Sequence, residues 1–318
     1  MSNSETFSFN ILDNIEINPA NQETISIENG YERVLACDID SPQDIPQFNH
    51  SLMDGFAVFA DNIKSKQVSI VGEVFIGIEP DFIVKSNETA KIPTGGMLPN
   101  GTDSVIPIED VSIINDNTIE IKKTINKGQF VRHIGQDIRK GEPVFHQGQR
   151  LTPFDIGRLA GLGIMEIVVI ERPIVSIIST GNELVSPESI IQIGQVRDVN
   201  SYTLYGLISK AGGVPIKKGI FKDDYNIIRE IIKTSAETSH MVIITGGSGA
   251  GTLDHTVRII KELGIFVEGV KRKGGKPLIV GTINKTPIFG LPGNPLSISG
   301  IFETYVLRIL NSILCYNK

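Results

Sequence analysis

HMVIITGGSGAGTLDHTVRIIKELG, residues 240–264, decides the fold. It opens as a continuous apolar run of strand type and breaks into Gly246-Gly247-Ser248-Gly249-Ala250-Gly251. Asp254 then leads into an amphipathic helix read from His255 to Gly264. A buried strand, a glycine-rich turn and a helix in that order make one unit of an α/β sheet. The same grammar extends upstream: strand PIVSIIST (173–180), loop GNELVSP (181–187), helix NSYTLYGLISKAG (200–212), strand VPIKKGIF (214–221) and helix DDYNIIREIIKTSA (223–236). Downstream, LSISGIFETYVLRILNSIL (296–314) reads as one long helix with an apolar face. Residues 173–318 are therefore expected to form a three-layer α/β/α domain around an open, mainly parallel sheet.

Upstream the pattern changes. Between Asp54 and Ile134, short apolar runs at period two (FAVFA, VSIVGEVFIGI, SVIPIEDVSII, TIEIKK) are broken by Gly, Pro and Asn, which predicts a mostly β domain over 46–137. Between the two regions, LTPFDIGRLAGLG predicts a helix with Thr152 as N-cap and Pro153 at its first position, stopping at Gly161 or Gly163; IMEIVVI follows as a strand. Residues 1–45 are polar and mixed, and the turn-rich SPQDIPQFNHS reads as an extended crossing between domains.

A chain of 318 residues, 40% hydrophobic and 21% charged, is globular and holds more than one domain. The 36 acids exceed the 30 bases, giving a net charge of −6, and no basic block tracks a phosphate backbone, so nucleic acid is not an expected partner. Cys37 and Cys315 are the only thiols, one near each end, which suits a reducing cytosol. The N-terminus has no signal-peptide pattern and no run of 18 uninterrupted apolar residues occurs, so a cytoplasmic location without a membrane span is expected. The five histidines show no HExxH pairing, and no serine sits in a GxSxG elbow.

Ligands of open α/β sheets bind at the carboxyl ends of strands. Two such ends carry phosphate-friendly loops here: Ser179-Thr180-Gly181-Asn182-Glu183, and Thr245 to Thr252 with Gly246, Gly247, Ser248 and Gly251. Backbone N–H groups of such loops can meet an anion, with the following helix N-terminus adding partial positive charge. Neither loop is a Walker A or a GxGxxG fingerprint. Asp254 stands where an acid would meet a phosphate-bound Mg²⁺, and equally where a first-turn Asp balances a helix dipole. VKRKGGKP (270–277), with Lys273 and Lys276, is read as a basic loop, either a solvated face or an anion pocket. Gly290 to Ser297 forms a rigid Pro- and Gly-rich loop, with Ser297 read as the cap of the closing helix.

Taken in order, the segments SLMDGFAVFAD (51–61), IPTGGMLPNGTDSVIPIED (92–110), the run 131–185 containing VRHIGQDI and STGNELV, QVRDVNSYTL (195–204), ITGGSGAGTLDHT (244–256), KGGKP (273–277) and GLPGNPLS (290–297) resemble the molybdopterin molybdenumtransferase family, which includes bacterial MoeA and the E domain of gephyrin. The resemblance runs from about residue 30 to the end, and the motifs together are far more specific than any one of them. It implies an elongated homodimer, with 1–45 and 138–172 as a linking and dimerisation domain. It implies insertion of molybdate into adenylylated molybdopterin, with Mg²⁺ and release of AMP, at a site between the α/β domain of one subunit and the β domain of the other. A molybdopterin adenylyltransferase is the implied upstream partner.

The resemblance also assigns residues. Asp54, Thr94 and Asp137 match the MDG, TG and GxDI positions on the β-domain side. Thr180, Gly181, Glu183, Gly246, Gly247, Ser248 and Gly251 would hold the AMP and pyrophosphate portion, with Asp254 at the metal. Lys273, Lys276, Pro277 and Ser297 match an oxyanion pocket, where molybdate needs cations and hydroxyl donors. Asp54, Asp137, Asp254, Lys273 and Lys276 are the implied catalytic set. The chain departs from the family in three places. Its phosphate loop exchanges Ser248 and Gly249 relative to the usual order, and Gly274 replaces a proline. Members usually continue into a further C-terminal β domain that helps complete the molybdate pocket, whereas this sequence stops at Lys318. The alternative to a transferase is a non-catalytic molybdopterin or nucleotide carrier; the adenylyltransferases share the α/β domain but lack the 51–137 segment.

Overall fold

The structure, a computed structural model, describes Leu12 and residues 15–246, 252–272 and 275–316; for 252–254, 267–272 and 275–277 it describes the backbone without the side chains. Two compact units emerge, one formed by Met1–Asp38 with His146–Lys318 and the other by Ile39–Phe145. Strand β1 (Gln22–Ser26) belongs to the first unit.

The second unit is built on a six-stranded sheet. Its strands are β2 (Gly55–Val58), β3 (Gln67–Glu73), β4 (Glu88–Ile92), β5 (Ser104–Pro107), β6 (Val111–Asn115) and β7 (Thr118–Ile121), in spatial order β5-β2-β4-β3-β7-β6. Period-two alternation divides its apolar residues between two faces. Phe56, Val58, Val68, Ile106 and Ile119 pack on one; Ala57, Val74, Ile92 and Val105 pack on the other. Gly55 lies between Ile92 and Pro107, and a Cβ there would stand 2.0 Å from the Ile106 carbonyl oxygen, so the glycine of the MDG motif is a packing requirement. The unit reaches beyond 46–137 at both ends because Ile39–Asp40 pairs with Pro143–Phe145. The SPQDIPQFNHS segment thus lies inside it.

In the first unit, helix α1 (Pro153–Gly161) starts as its sequence predicts. Asp155 N donates to Thr152 Oγ1 (3.3 Å), and Thr152 N donates to Asp155 Oδ2 (2.9 Å), a reciprocal cap behind Pro153. Strand β8 (Glu166–Ile170) pairs antiparallel with β1. There follow β9 (Ile174–Thr180), α2 (Asn200–Lys210), β10 (Val214–Phe221), α3 (Tyr225–Thr238), β11 (Met241–Gly246), α4 (Thr252–Leu263), β12 (Ile265–Arg272), β13 (Gly275–Ile283) and β14 (Thr286–Pro292). The sheet order is β10-β9-β11-β14-β13-β12: the first four strands are parallel, β13 pairs antiparallel with β14, and β12 pairs antiparallel with β13. Every described side chain of β11 and β14 is buried, as strands covered on both faces require. Leu204, Ile208, Ile298, Phe302 and Leu310 cover one face with Ile177, Ile243 and Phe289. Ile228, Ile232, Ile259 and Ile260 cover the other with Ile178, Val242 and Ile288. Leu12, Ile15, Ala20, Val34 and Ala36 join the first of these cores, which is why the N-terminal segment belongs to this unit.

Several local readings are corrected. Helix α4 begins at Thr252 rather than His255, placing Asp254 within its first turn. The described part of the basic segment is strand rather than loop: β12 ends at Arg272, which pairs with Gly275, and Lys276 and Pro277 are residues of β13. The closing helix is three pieces, α5 (Pro295–Ile301), a π-helical turn at Phe302–Val306, and α6 (Leu307–Ile313). Its N-cap is Asn294, whose Oδ1 accepts from Leu296 N (3.1 Å), and not Ser297. Pro295 takes the first helical position, where a missing N–H costs nothing, and this moves Ser297 into the first turn. Among the described residues no helix is long and apolar enough to cross a membrane.

Thr152→Ala removes one half of the α1 cap, and a destabilisation of about 1 kcal/mol is expected. It is read as a lower urea midpoint at unchanged slope; an unchanged midpoint would show that Pro153 and tertiary packing set the helix start unaided.

Candidate functional site

The carboxyl ends of three adjacent parallel strands lie level with one another. Thr180 of β9 pairs with Gly246 of β11, and Gly246 pairs with Pro292 of β14. The backbones come so close that a Cβ on Gly246 would stand 1.8 Å from the Thr180 carbonyl oxygen. At Gly293, the next residue beyond β14, a Cβ would meet Gly246 only at an ordinary 3.5 Å. Beyond these ends opens a cavity of about 450 Å³, whose lining includes Glu183, Asp198, Asn200, Gly246, Gly293 and Pro295.

Polar side chains lock this edge. Asn200, the first residue of α2, donates from Nδ2 to Thr245 Oγ1 (2.9 Å) and to the Gly293 carbonyl oxygen (3.0 Å), tying three elements together. Asp198 is only 5% exposed; Oδ2 accepts from Ser179 Oγ (2.7 Å) and Oδ1 from Ser201 N (3.1 Å), so it caps α2 while anchoring the end of β9. Two buried oxygens here, Thr180 Oγ1 and Asn200 Oδ1, have no hydrogen-bond partner among the described residues. Native interiors seldom leave such atoms unpaired, and a ligand or bound water is the usual resolution. Glu183 is half-buried, and its carboxylate lies where a Cβ on Gly181 would meet it at 2.8 Å.

The structure therefore gathers Thr180, Gly181, Glu183 and Gly246 at one sheet edge, as expected for a phosphate-binding edge. Ser297 is half-buried two residues after Pro295, which lines the cavity. Lys276 and Pro277 lie on the part of β13 that runs to this same edge, since Ile279 pairs with Gly290 and β13 is antiparallel to β14. Asp254 has its backbone in the first turn of α4, which follows β11; the side chains of these last three are not described. Gly247, Ser248, Gly251 and Lys273 lie outside the described residues.

The β unit holds a second cluster. Because β2 and β4 are antiparallel neighbours with Gly55 opposite Ile92, the residues just outside them, Asp54 and Thr94, meet. Asp54 Oδ1 accepts from Thr94 N (2.7 Å) and from Thr94 Oγ1 (3.0 Å). The backbone bond first, and the hydroxyl bond second, hold its carboxyl below the ordinary carboxylate value despite slight opposing desolvation. Asp137 forms an ion pair with Arg132, whose short strand Val131–Arg132 pairs with His50–Ser51. Ser51 in turn exchanges bonds with the glycines after Thr94: Gly95 N donates to Ser51 O (2.8 Å), and Ser51 N to Gly96 O (3.0 Å).

Asp198, Asn200, Thr245, Gly293 and Arg132 received no role from the sequence. A signal existed for the first two, an Asp just before and an Asn at the start of a helix, yet their partners come from distant strands. Among the described residues no group of three or more His, Cys, Asp or Glu side chains assembles, so a hard cation at this edge would depend on few protein carboxylates and on substrate oxygens.

Two tests follow from this geometry. Gly246→Ala should destabilise the protein by about 1–3 kcal/mol through overpacking, whereas Gly293→Ala should stay near wild type in thermal denaturation; equal effects would contradict the close approach at Thr180. In carbon-detected NMR titration, the Asp54 carboxyl should titrate below 3.8, and Thr94→Val should move it upward. Because the folded value is depressed, stability from this bond is present above pH 3.8 and is lost as pH falls through the lowered value. An unmoved titration would remove the Thr94 hydroxyl as a cause and leave the shift to the backbone bond.

Comparison with known proteins gives one consistent result. Residues 5–163 match the MoeA N-terminal region (domain I and II), and residues 176–312 match the "Probable molybdopterin binding domain". The chain is 34% identical over 281 residues to the molybdopterin molybdenumtransferase of Haemophilus influenzae, covering 88% of this chain and 70% of that one. It is 31% identical over 292 residues to the enzyme of the same name from a Nostoc species, covering 88% and 67%. Among solved structures, the molybdopterin biosynthesis MoeA protein from Pyrococcus horikoshii superposes with a TM-score of 0.86 at 35% identity, covering 98% of this chain and 79% of that one. With both of its regions matched in order and its fold shared over nearly its whole length, the chain belongs to the MoeA family of molybdopterin molybdenumtransferases.

Proposed function

We propose that this chain, as a transferase of molybdenum cofactor biosynthesis, inserts molybdate into adenylylated molybdopterin with release of AMP. The observation that carries the reading is the cavity at the level strand ends, where Gly246 passes close to Thr180, Glu183 stands at the wall, and Asn200 Oδ1 and Thr180 Oγ1 are buried without partners among the described residues. Such an edge suits a nucleotide phosphate better than an apolar ligand. The reaction exchanges a phosphoanhydride link for metal bound to the dithiolene, so its demand is charge stabilisation and placement rather than a protein nucleophile.

The residues fit Mg²⁺. Hard cations take oxygen ligands, and the cavity wall offers the Glu183 carboxylate, with Asn200 Oδ1 buried behind it and unpartnered among the described residues. Glu183 with Asp254 would hold the ion together with substrate phosphate oxygens, and the ion would neutralise phosphate charge and polarise the bond to be cleaved. The chain's own contributions are then separable. The Asp198 and Asn200 bonds hold the start of α2 against β9 and β11, keeping the phosphate-facing backbone rigid. Lys273, Lys276, Pro277 and Ser297 receive the oxyanion, the lysines supplying positive charge and Ser297 a hydroxyl donor. Asp54, held below the ordinary carboxylate value by Thr94, acts as a carboxylate, and Asp137 is positioned by its ion pair with Arg132.

The further reading is a cytoplasmic homodimer of three-domain subunits. Of the segments 1–45 and 138–172, residues 1–38 and 146–172 serve linking and dimerisation, 39–145 forms the β domain and 173–318 the α/β domain, and a molybdopterin adenylyltransferase supplies the substrate.

The test is AMP release from adenylylated molybdopterin by the purified chain with Mg²⁺, with and without molybdate. Molybdate-dependent release is expected, and Asp54→Ala should abolish turnover while sparing nucleotide binding. Tight binding without release would replace the transferase by a carrier, and an Asp54→Ala variant as fast as wild type would remove Asp54 from the machinery.

A further inference from the structure

The β unit carries a second, separate concentration of positive charge that no single stretch of sequence displays. Gln67 at the start of β3 pairs with Glu120 near the end of β7, and Ile121 N donates to the Lys66 carbonyl oxygen (2.8 Å). Lys64 and Lys66 on one strand approach, and Lys122 and Lys123 beyond the other, are thereby brought to one end of the sheet around a cavity of about 380 Å³. The backbone around it is pinned. Lys64 N and Ser65 N both donate to Asn87 Oδ1 (2.9 and 3.2 Å), and Lys122 N donates to the Asp110 carbonyl oxygen (2.9 Å). Asp110 pairs with Lys123 Nζ (2.6 Å), while Lys64, Lys66 and Lys122 have no ion pair among the described residues.

Three uncompensated ammonium groups around one cavity repel one another, in a chain whose net charge is −6. The wall beside them is not polar throughout. Ile63 and Ile125 are partly buried against the β-unit core, and Ile121 belongs to that core, so they give the cavity an apolar side. A concave site with three free cations on one side and isoleucines on the other matches a compact ligand that has about three negative charges and an apolar or aromatic part.

We propose that this cavity is a binding site for an organic oligophosphate of nucleoside triphosphate type, with Lys64, Lys66 and Lys122 meeting the phosphates and Ile63, Ile121 and Ile125 meeting the organic part. It is independent of the cavity at the strand ends of the α/β unit and of the reaction proposed there.

The experiment follows the backbone amides of residues 63–66 and 121–125 by ¹H–¹⁵N NMR of the full chain during titration with ATP and, separately, with inorganic tripolyphosphate. Both probes should shift these amides in a salt-dependent way, with ATP binding several-fold more tightly because of its base and sugar. The triple variant Lys64→Gln, Lys66→Gln, Lys122→Gln should weaken ATP at these amides by about tenfold or more. It should keep wild-type AMP release, and it should unfold no earlier than wild type, since like-charge repulsion has been removed. The proposal is overturned if these amides do not move at millimolar ATP, or if the triple variant moves them as wild type does. It is also overturned if tripolyphosphate binds as tightly as ATP, which would make the isoleucine wall irrelevant, or if a polyglutamate peptide shifts them where ATP does not. ATP binding at the α/β unit shifts other amides, around 180–183 and 198–200, so either site can fail without the other.

Discussion

The α/β unit depends on the register in which β9, β11 and β14 end side by side. Strand backbones at Thr180 and Gly246 approach closely enough that only glycine fits at the second position. That approach levels the strand ends, and the levelled ends form the floor of the cavity. The register is held by that contact, because a slip of one residue would bring a side chain to the place where Gly246 passes Thr180 and would exchange residues between two differently packed faces. Asn200 then joins the floor to the wall, with one amide nitrogen reaching β11 and the residue after β14.

The β unit reaches an equivalent end by different means. Its central strand β2 is squeezed between β4 and β5, and Gly55 relieves the contact with Ile106. Fixing Gly55 also fixes Asp54, one residue earlier, where Thr94 donates twice to a single carboxylate oxygen. The MDG and TG motifs are thus two halves of one arrangement: the glycine permits the strand contact and the carboxylate receives the loop. Both carboxylates of interest in this unit are held by donors, Asp54 by neutral ones and Asp137 by the guanidinium of Arg132.

Much of this was legible in the linear order of residues. Thr152-Pro153 announced a helix start because capping is a local interaction spanning a few residues, and the structure returns the same cap with Asp155 completing it. The three-layer α/β unit was legible for the same reason: continuous Ile and Val runs separated by amphipathic segments have few other ways to be buried. Legibility stopped where neighbours in space are distant in sequence. The glycines of KGGKP suggested a loop, but Gly275, Lys276 and Pro277 are strand residues because their backbone belongs to β13, which runs in the sheet beside β12 and β14. Ser297 resembled a cap until Pro295, two residues earlier, claimed the first helical position.

For the candidate site, the glycine-rich turns and acids could be named from sequence because phosphate binding demands small residues at strand ends, a constraint visible residue by residue. Asp198 and Asn200 could not be given their roles, since each role consists of bonds to Ser179, Thr245 or Gly293 that only the folded sheet supplies. The lysine cavity is the limiting case. Its charges are split between residues 64–66 and 122–123 and look like solvated surface in either place, and β3–β7 pairing alone makes them neighbours. Sequence by itself therefore determined the alternation of strands and helices and the residue types at the strand ends, because these rest on local propensity and hydrophobic period, while its ordered motifs carried the resemblance to the family. Tertiary structure decided which polar atoms are paired, which are left buried without partners and where charge accumulates, because hydrogen bonds and Coulomb forces act across space between groups that the chain order keeps apart.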